Sequence, residues 1–245
     1  MNHIVLHIPH TSVVIPDYTG YRVSATVLGH EIERVTDWGV AEIFDIDGVT
    51  KTKANFSRLF CDVERFYDNC ESLSARGFGI AYTGLEGGGL LRTLTVKQKN
   101  DIIVNYYEPY HEHFSNLVRE KIEVMGKALI IDCHSFPDKP LGWEEHLDLP
   151  RPDICIGTEK FHTPVALSEL FRNHFESKGY TVSLNHPFEG TIVPTAFYHK
   201  DSRVNSIMIE INRKLFTGND DITQMNHENI TNVKNDITDM LQTLS

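Results

Sequence analysis

The 245-residue chain has no uninterrupted apolar run long enough to span a bilayer, so a transmembrane helix is not expected. It is also short of positive charge. Lys and Arg number 23 against 34 Asp and Glu, a formal net charge of −11. The broad basic face that nucleic acid or an anionic membrane requires is therefore not expected either. A few arginines can still build a local positive pocket for an anionic small molecule. Cysteine is sparse: Cys61, Cys70, Cys133 and Cys155 lack the paired spacing of a zinc knuckle. The sequence opens Met-Asn-His and goes straight into a strand, without a basic n-region or an apolar h-region. Free thiols in a reducing cytoplasm are the expectation. There is no internal repeat and no linker. With 40 % hydrophobic and 23 % charged residues, the chain reads as one globular α/β domain over residues 1–245.

Three apolar strands run into reactive groups. Ile130-Ile131-Asp132-Cys133-His134-Ser135 follows a strand beginning at Ala128 and is stopped by Pro137. Ile4-Val5-Leu6-His7-Ile8 leads to Pro9-His10, and Ile207-Met208-Ile209 leads to Glu210. Ligands in α/β proteins collect at the carboxyl ends of strands. Two histidines and a glutamate at such ends are the side chains of a metal hydrolase. His7 and His10 face opposite sides if the strand continues, which makes His7 structural and leaves His10, past Pro9, to turn into a site.

Taken in order, Ser24 caps a helix to about Val35 with Val27, Leu28, Ile32 and Val35 on its apolar face, and a short helix follows over Val40–Phe44. Val49–Ala54 and Leu59–Val63 read as strands. Residues 67–92, with Gly77, Gly79, Gly84 and Gly87-Gly88-Gly89, form a long loop that is either a lid or a plain surface loop. The longest helical stretch, Thr95 to Met125, carries Pro109, which should kink or divide it. His111 and His113 there read as helix-face residues. Strands at Ile154–Gly157, Tyr180–Leu184 and around Glu210 follow, with a helix from Pro164 to about Lys178 and an amphipathic tail from Gln224 to Leu244. Strands and helices alternate, as in an α/β sandwich around a mixed sheet.

The ordered set Pro9-His10, Thr36-Asp37-Trp38, Ser57-Arg58, Asp62-Val63-Glu64-Arg65, Asp132-Cys133-His134-Ser135, Asp153 with Gly157-Thr158, Asn185 with Phe188 and Gly190, and Glu210 resembles the N-formylglutamate amidohydrolase family, which looks like a relative of the zinc carboxypeptidases and aspartoacylases. The resemblance covers about residues 8 to 212. It implies a three-layer α/β/α sandwich of the phosphorylase/hydrolase-like type, a mixed sheet and one divalent metal, Zn²⁺ first. It puts His10 and His134 at the metal-ligand positions. The carboxypeptidase pattern would place a Glu three residues after the first His, but Val13 stands there, so Asp37 is the matching third ligand. Asp37 can equally be a helix N-cap beside Trp38.

Glu210 takes the general-base position, with an ion pair to Arg213 as the plainer reading. Arg58 and Arg65 suit the carboxylate of an N-acyl amino acid, because a guanidinium fork fixes a carboxylate plane. Arg203 is a candidate for a second carboxylate or a surface pair, and Tyr198 for an oxyanion donor. Asp132 is expected to orient a neighbour or pair with an arginine. Cys133 has no separate base, so a thiol mechanism is disfavoured. The expected activity is amide hydrolysis of an N-formyl or N-acyl amino acid, first N-formyl-L-glutamate, with no nucleic-acid or membrane partner. A metallo-carboxypeptidase, an aspartoacylase-like deacylase and a non-catalytic amino-acid-binding protein are the rivals. The family pattern Asp-x-Asn-Arg is Asp62-Val63-Glu64-Arg65 here. An ionised Glu64 would repel a substrate carboxylate, which opens the site to a smaller or differently charged substrate.

Overall fold

The structure is a computed structural model that describes residues 1–67, 72–142, 144, 146–147, 150–218 and 221–244. The elements run β1 (Ile4–Ile8), α1 (Ala25–Val35), α2 (Val40–Ile43), β2 (Thr50–Lys53), α3 (Ser72–Ala75), α4 (Val96–Ile102), α5 (Glu108–Met125), β3 (Ala128–Phe136), β4 (Ile154–Gly157), α6 (Val165–Ser177), β5 (Val182–Leu184), β6 (Val204–Asn212) and α7 (His227–Thr243). A π-helical turn, Ile103–Tyr107, joins α4 to α5. The chain forms two compact units: residues 1–8, 37–52 and 115–245, and residues 9–36 and 53–114.

The first unit is built on a mixed six-stranded sheet of order β2-β1-β3-β6-β4-β5. β1, β3 and β6 are mutually parallel, so their carboxyl ends share one edge, while β4 runs antiparallel to β6. Alternate residues of each strand turn to opposite faces. One face carries Ile4, Leu6, Leu129, Ile131, Cys133, Ile207, Ile209 and Ile211, packed with Val40, Ile43 and Phe44 of and beside α2, Phe171 and Phe175 of α6, and Ile230, Val233, Ile237, Met240 and Leu241 of α7. Fully burying such side chains contributes about 1.5–3 kcal/mol each. The opposite register of β3 holds Ile130, Asp132 and His134. Strand period thus sends Cys133 into the apolar core and its neighbours Asp132 and His134 to the other face. β3 also runs longer than the sequence indicates, to Phe136, because β6 pairs with it as far as Phe136–Asn212.

The second unit is irregular. Ser24 caps α1 as expected, its hydroxyl accepting from the Val27 amide. Val27 is exposed, however, and Glu31 is buried instead, accepting the Glu86 amide N–H at 2.9 Å. The strand expected at Leu59–Val63 is absent. The amides of Phe60 and Cys61 turn back to the Ser57 carbonyl, and the Asp62 amide reaches the Ile80 carbonyl. The glycine-rich stretch, of which 68–71 lie outside the described residues, is not all surface: Phe78, Ile80, Ala81, Tyr82, Leu91 and Arg92 are buried. Its Gly77 has φ +91°, and a Cβ there would lie 2.6 Å from the Gly84 nitrogen, so the chain crossing requires glycine. Thr95 opens α4 with a full capping box. Pro109 does not break the helix, because the π-helical turn before it absorbs the missing N–H.

Candidate functional site

In the first unit, four buried side chains form a continuous hydrogen-bonded chain. His7 Nδ1 lies 2.8 Å from Asp132 Oδ1, and His134 Nε2 lies 3.0 Å from the same oxygen. His134 Nδ1 lies 2.9 Å from Asp37 Oδ2, and the Ile192 amide donates to Asp132 Oδ2 at 3.1 Å. The parallel register that sets His7 against Asp132 lets residues far apart in sequence meet. Burial on its own would raise the Asp132 carboxyl, but His134 and His7 outweigh it and hold the group well below the usual carboxylate range. His134 thus has a carboxylate on each ring nitrogen. Such an imidazole either carries two protons or gives one lone pair to a cation while the other nitrogen is held. Ser135 donates to the Trp38 carbonyl at 2.9 Å, which fixes the Asp37-Trp38 segment against β3.

Glu210 lies beside this chain. It is the Cα partner of His134 across β3 and β6 and is buried at 9 % exposure. Cys155 is its partner on β4, and burial pushes that thiol up to about 11. Cys61, Cys133 and Cys155 are buried thiols outside any disulfide, while Cys70 lies outside the described residues.

The second unit has its own polar centre, and its hub is Asp62, which the sequence reading left without a role. One oxygen accepts the Glu64 amide at 3.0 Å and faces His10 Nε2 at 2.9 Å. The other accepts Arg58 Nε at 3.2 Å, Arg58 Nη2 at 3.0 Å and the Tyr82 hydroxyl at 2.8 Å. Burial would raise the Asp62 carboxyl; Arg58, Arg65 and His10 together hold it well below its ordinary value. The same burial, with Asp62 alongside, raises the Tyr82 phenol. Arg65 gives Nε to the Phe78 carbonyl at 3.1 Å, with its Nη2 3.6 Å from Asp62. Tyr107 and His111 bond the carbonyls of Arg65 and Val63, each at 2.8 Å, so the 62–65 turn is held from the helix side. Arg92, 1 % exposed, donates to the carbonyls of Tyr82 and Phe60 and packs its guanidinium over the Tyr21 and Phe60 rings.

Two expected residues are not brought to either cluster. Arg203 precedes the first residue of β6, at the amino end of the strand whose carboxyl half bears Glu210, and pairs with its neighbour Asp201. Tyr198 stacks on His199 and His162, and His162 in turn bonds the Val204 carbonyl at that same amino end. Both residues reach the sheet at its far edge because the chain returns from residue 190 to start β6 there. His7, read as structural, is the inner partner of Asp132. Its only signal was a polar residue inside a fully apolar strand.

The sequence model of the N-formylglutamate amidohydrolase family matches residues 2–217. The chain belongs to that family. Family membership carries the amidohydrolase class of activity with it. Among solved structures, the chain is similar to an N-formylglutamate amidohydrolase from Ralstonia eutropha, with 22 % identity, a TM-score of 0.82, and coverage of 97 % of this chain and 91 % of that one. It is also similar to a gene product of Agrobacterium tumefaciens, with 18 % identity, a TM-score of 0.72, and coverage of 99 % and 91 %. These likenesses show the shared α/β fold. No curated protein matches the chain. Among the described residues, no helix is long and apolar enough to cross a membrane.

Proposed function

We propose that this chain is a divalent-metal-dependent amidohydrolase of the cytoplasm that cleaves the amide C–N bond of an N-formyl or N-acyl amino acid, with N-formyl-L-glutamate as the first substrate. The observation that carries this reading is the buried chain His7–Asp132–His134–Asp37, with Glu210 registered beside His134 near the carboxyl edge of the sheet. The donor set fits a metal. His134 is an imidazole oriented by carboxylates, the usual setting of a ligating histidine, and His10 is likewise buried against a carboxylate. The resemblance assigns His10 and His134 as the imidazole ligands, and Asp37, fixed on Nδ1 of His134, is the carboxylate that goes with them.

Bound Zn²⁺ supplies Lewis-acid polarisation of the amide carbonyl and a water of pKa near ~7, and Mn²⁺, Fe²⁺ or Co²⁺ accept the same donors. Glu210 takes the proton of the attacking water and returns it to the departing amine nitrogen. Arg58 and Arg65 hold the substrate carboxylates in a fixed plane, and Asp62 holds the arginines. The three buried thiols outside any disulfide agree with a reducing compartment.

The test pairs metal content with formate release. Untagged wild type should carry about one zinc per chain, as one mononuclear site requires, and should release formate from N-formyl-L-glutamate. His134→Ala should lose both. Zinc with free amino acid released from peptides, and no formate, would move the activity to a carboxypeptidase. Thermal stabilisation by an N-acyl amino acid without any product would make the chain a binding protein. A wild type that takes up no zinc, even when it is added back, would overturn the metal mechanism.

A further inference from the structure

We propose that Glu64 is itself a metal ligand, supplying beside His10 the carboxylate that the chain lacks at Val13. The inference rests on the metal reading above and gives Glu64 the carboxylate place that reading assigned to Asp37.

His10 is 2 % exposed, and its Nε2 faces two carboxylates from the same turn: Asp62 Oδ1 at 2.9 Å and Glu64 Oε2 at 3.4 Å. One ring nitrogen has one proton or one lone pair to give, so it cannot satisfy both. The two carboxylates differ in what they are built to do. Asp62 is fully buried and takes hydrogen bonds on both oxygens from Arg58, Tyr82 and the Glu64 amide. It is the fixed member, held by those bonds independently of His10 Nε2. Glu64 retains 14 % side-chain exposure, as a ligand beside a substrate-accessible metal must.

The 3.4 Å separation is also informative. Zinc bonds of about 2.0–2.1 Å to nitrogen and oxygen set two tetrahedral ligand atoms roughly 3.3–3.4 Å apart. Glu64 and His10 stand at that spacing. The turn that presents Glu64 is held before any ion arrives. Its amide is bonded to Asp62, and the flanking carbonyls of Val63 and Arg65 are bonded by His111 and Tyr107. A ligand on a backbone fixed at three points loses little entropy on binding.

The proposal also resolves the departure from the family pattern. An Asn at position 64 offers a neutral amide oxygen, whereas Glu offers a charged one, the stronger ligand for a hard or borderline cation. Once that charge faces a cation, it no longer repels the carboxylate of a substrate. On this assignment Asp37 acts through His134, holding its Nδ1.

The experiment measures zinc affinity by competition with a chromophoric chelator, on stripped wild type, Glu64→Gln, Glu64→Asn and Asp37→Asn, with the visible spectrum of the cobalt-loaded proteins as a second readout. Loss of a direct ligand should weaken zinc in both Glu64 variants by more than about 100-fold, beyond the roughly 10–100-fold that loss of an orienting partner costs and that Asp37→Asn should show. The cobalt spectrum should change in the Glu64 variants and persist in Asp37→Asn. Glu64→Asn carries the family's own residue and guards against a folding defect in Glu64→Gln, with circular dichroism as the check. Glu64 variants that bind zinc like wild type with an unaltered cobalt spectrum overturn this proposal and leave the metal reading intact. A wild type that binds no zinc overturns that reading and this inference with it.

Discussion

His134 and Glu210 are partners across two parallel strands, so their side chains leave the same face of the sheet side by side. A group that must pass a proton between water and a leaving amine is well served by a strand position, because its backbone does not move. Glu210→Gln keeps the shape and removes the proposed base. Turnover should fall by roughly 10²–10⁴-fold, while zinc content and the thermal midpoint stay at wild-type values. Steady-state assays with metal analysis check this. Retained turnover would give the proton transfer to another group.

Asp62 holds five hydrogen-bonding contacts while fully buried, so its neutralisation takes away the counter-charge it supplies to Arg58 and Arg65. Asp62→Asn should destabilise the protein by about 3–5 kcal/mol, as breaking buried ion pairs does. Urea unfolding of the wild type and the variant reads it directly. A midpoint unchanged by the substitution would mean that Arg58 and Arg65 find water or other acceptors.

Arg203 lies at the amino end of β6, opposite the half that bears Glu210, and is paired with its own neighbour on the surface. Arg203→Ala should leave kcat and KM unchanged and shift stability by no more than about 0.5 kcal/mol. A raised KM would bring Arg203 back as a substrate contact.

Much of this was legible in the sequence. The apolar runs Ile4–Ile8 and Ile207–Ile209 could only be buried strands, and the five apolar positions of α7 all point into the core as their spacing demands. Asp132, His134 and Glu210 were visible as polar residues where such strands run out. Asp62 was not, because its importance comes from partners 4, 20 and 52 residues away, which no local period encodes. The missing strand at Leu59–Val63 failed for the same reason. Its apolar residues fill the core of the second unit from a turn, and side-chain pattern alone does not separate a buried turn from a short strand. The position of Arg203 and Tyr198 at the amino end of β6 was not legible, because the sequence order after Gly190 does not tell at which end of the sheet the chain re-enters.

The cysteines allow a fourth test. Burial raises the Cys61 thiol and takes Cys155 up to about 11, so both stay protonated through the neutral and mildly alkaline range. A raised thiol pKa means thiolate, the reactive form, appears only as pH climbs past that value. In a Cys70→Ser background, a thiol-disulfide reagent at pH 8 should leave the native protein unlabelled and modify three thiols after denaturation in urea. Rapid labelling of the native protein would reopen a role for Cys133.

The π-helical turn at Ile103–Tyr107 amounts to one residue inserted into a helix. Each residue of an α-helix advances the side-chain direction by about 100°. The insertion therefore sets the bearing of everything after it, including His111, whose ring reaches the Val63 carbonyl. Deleting a single residue there would yield a straighter, more regular helix aimed at the wrong place. The helix trades ideality for aim, and the turn carrying Asp62, Glu64 and Arg65 is what it is aimed at.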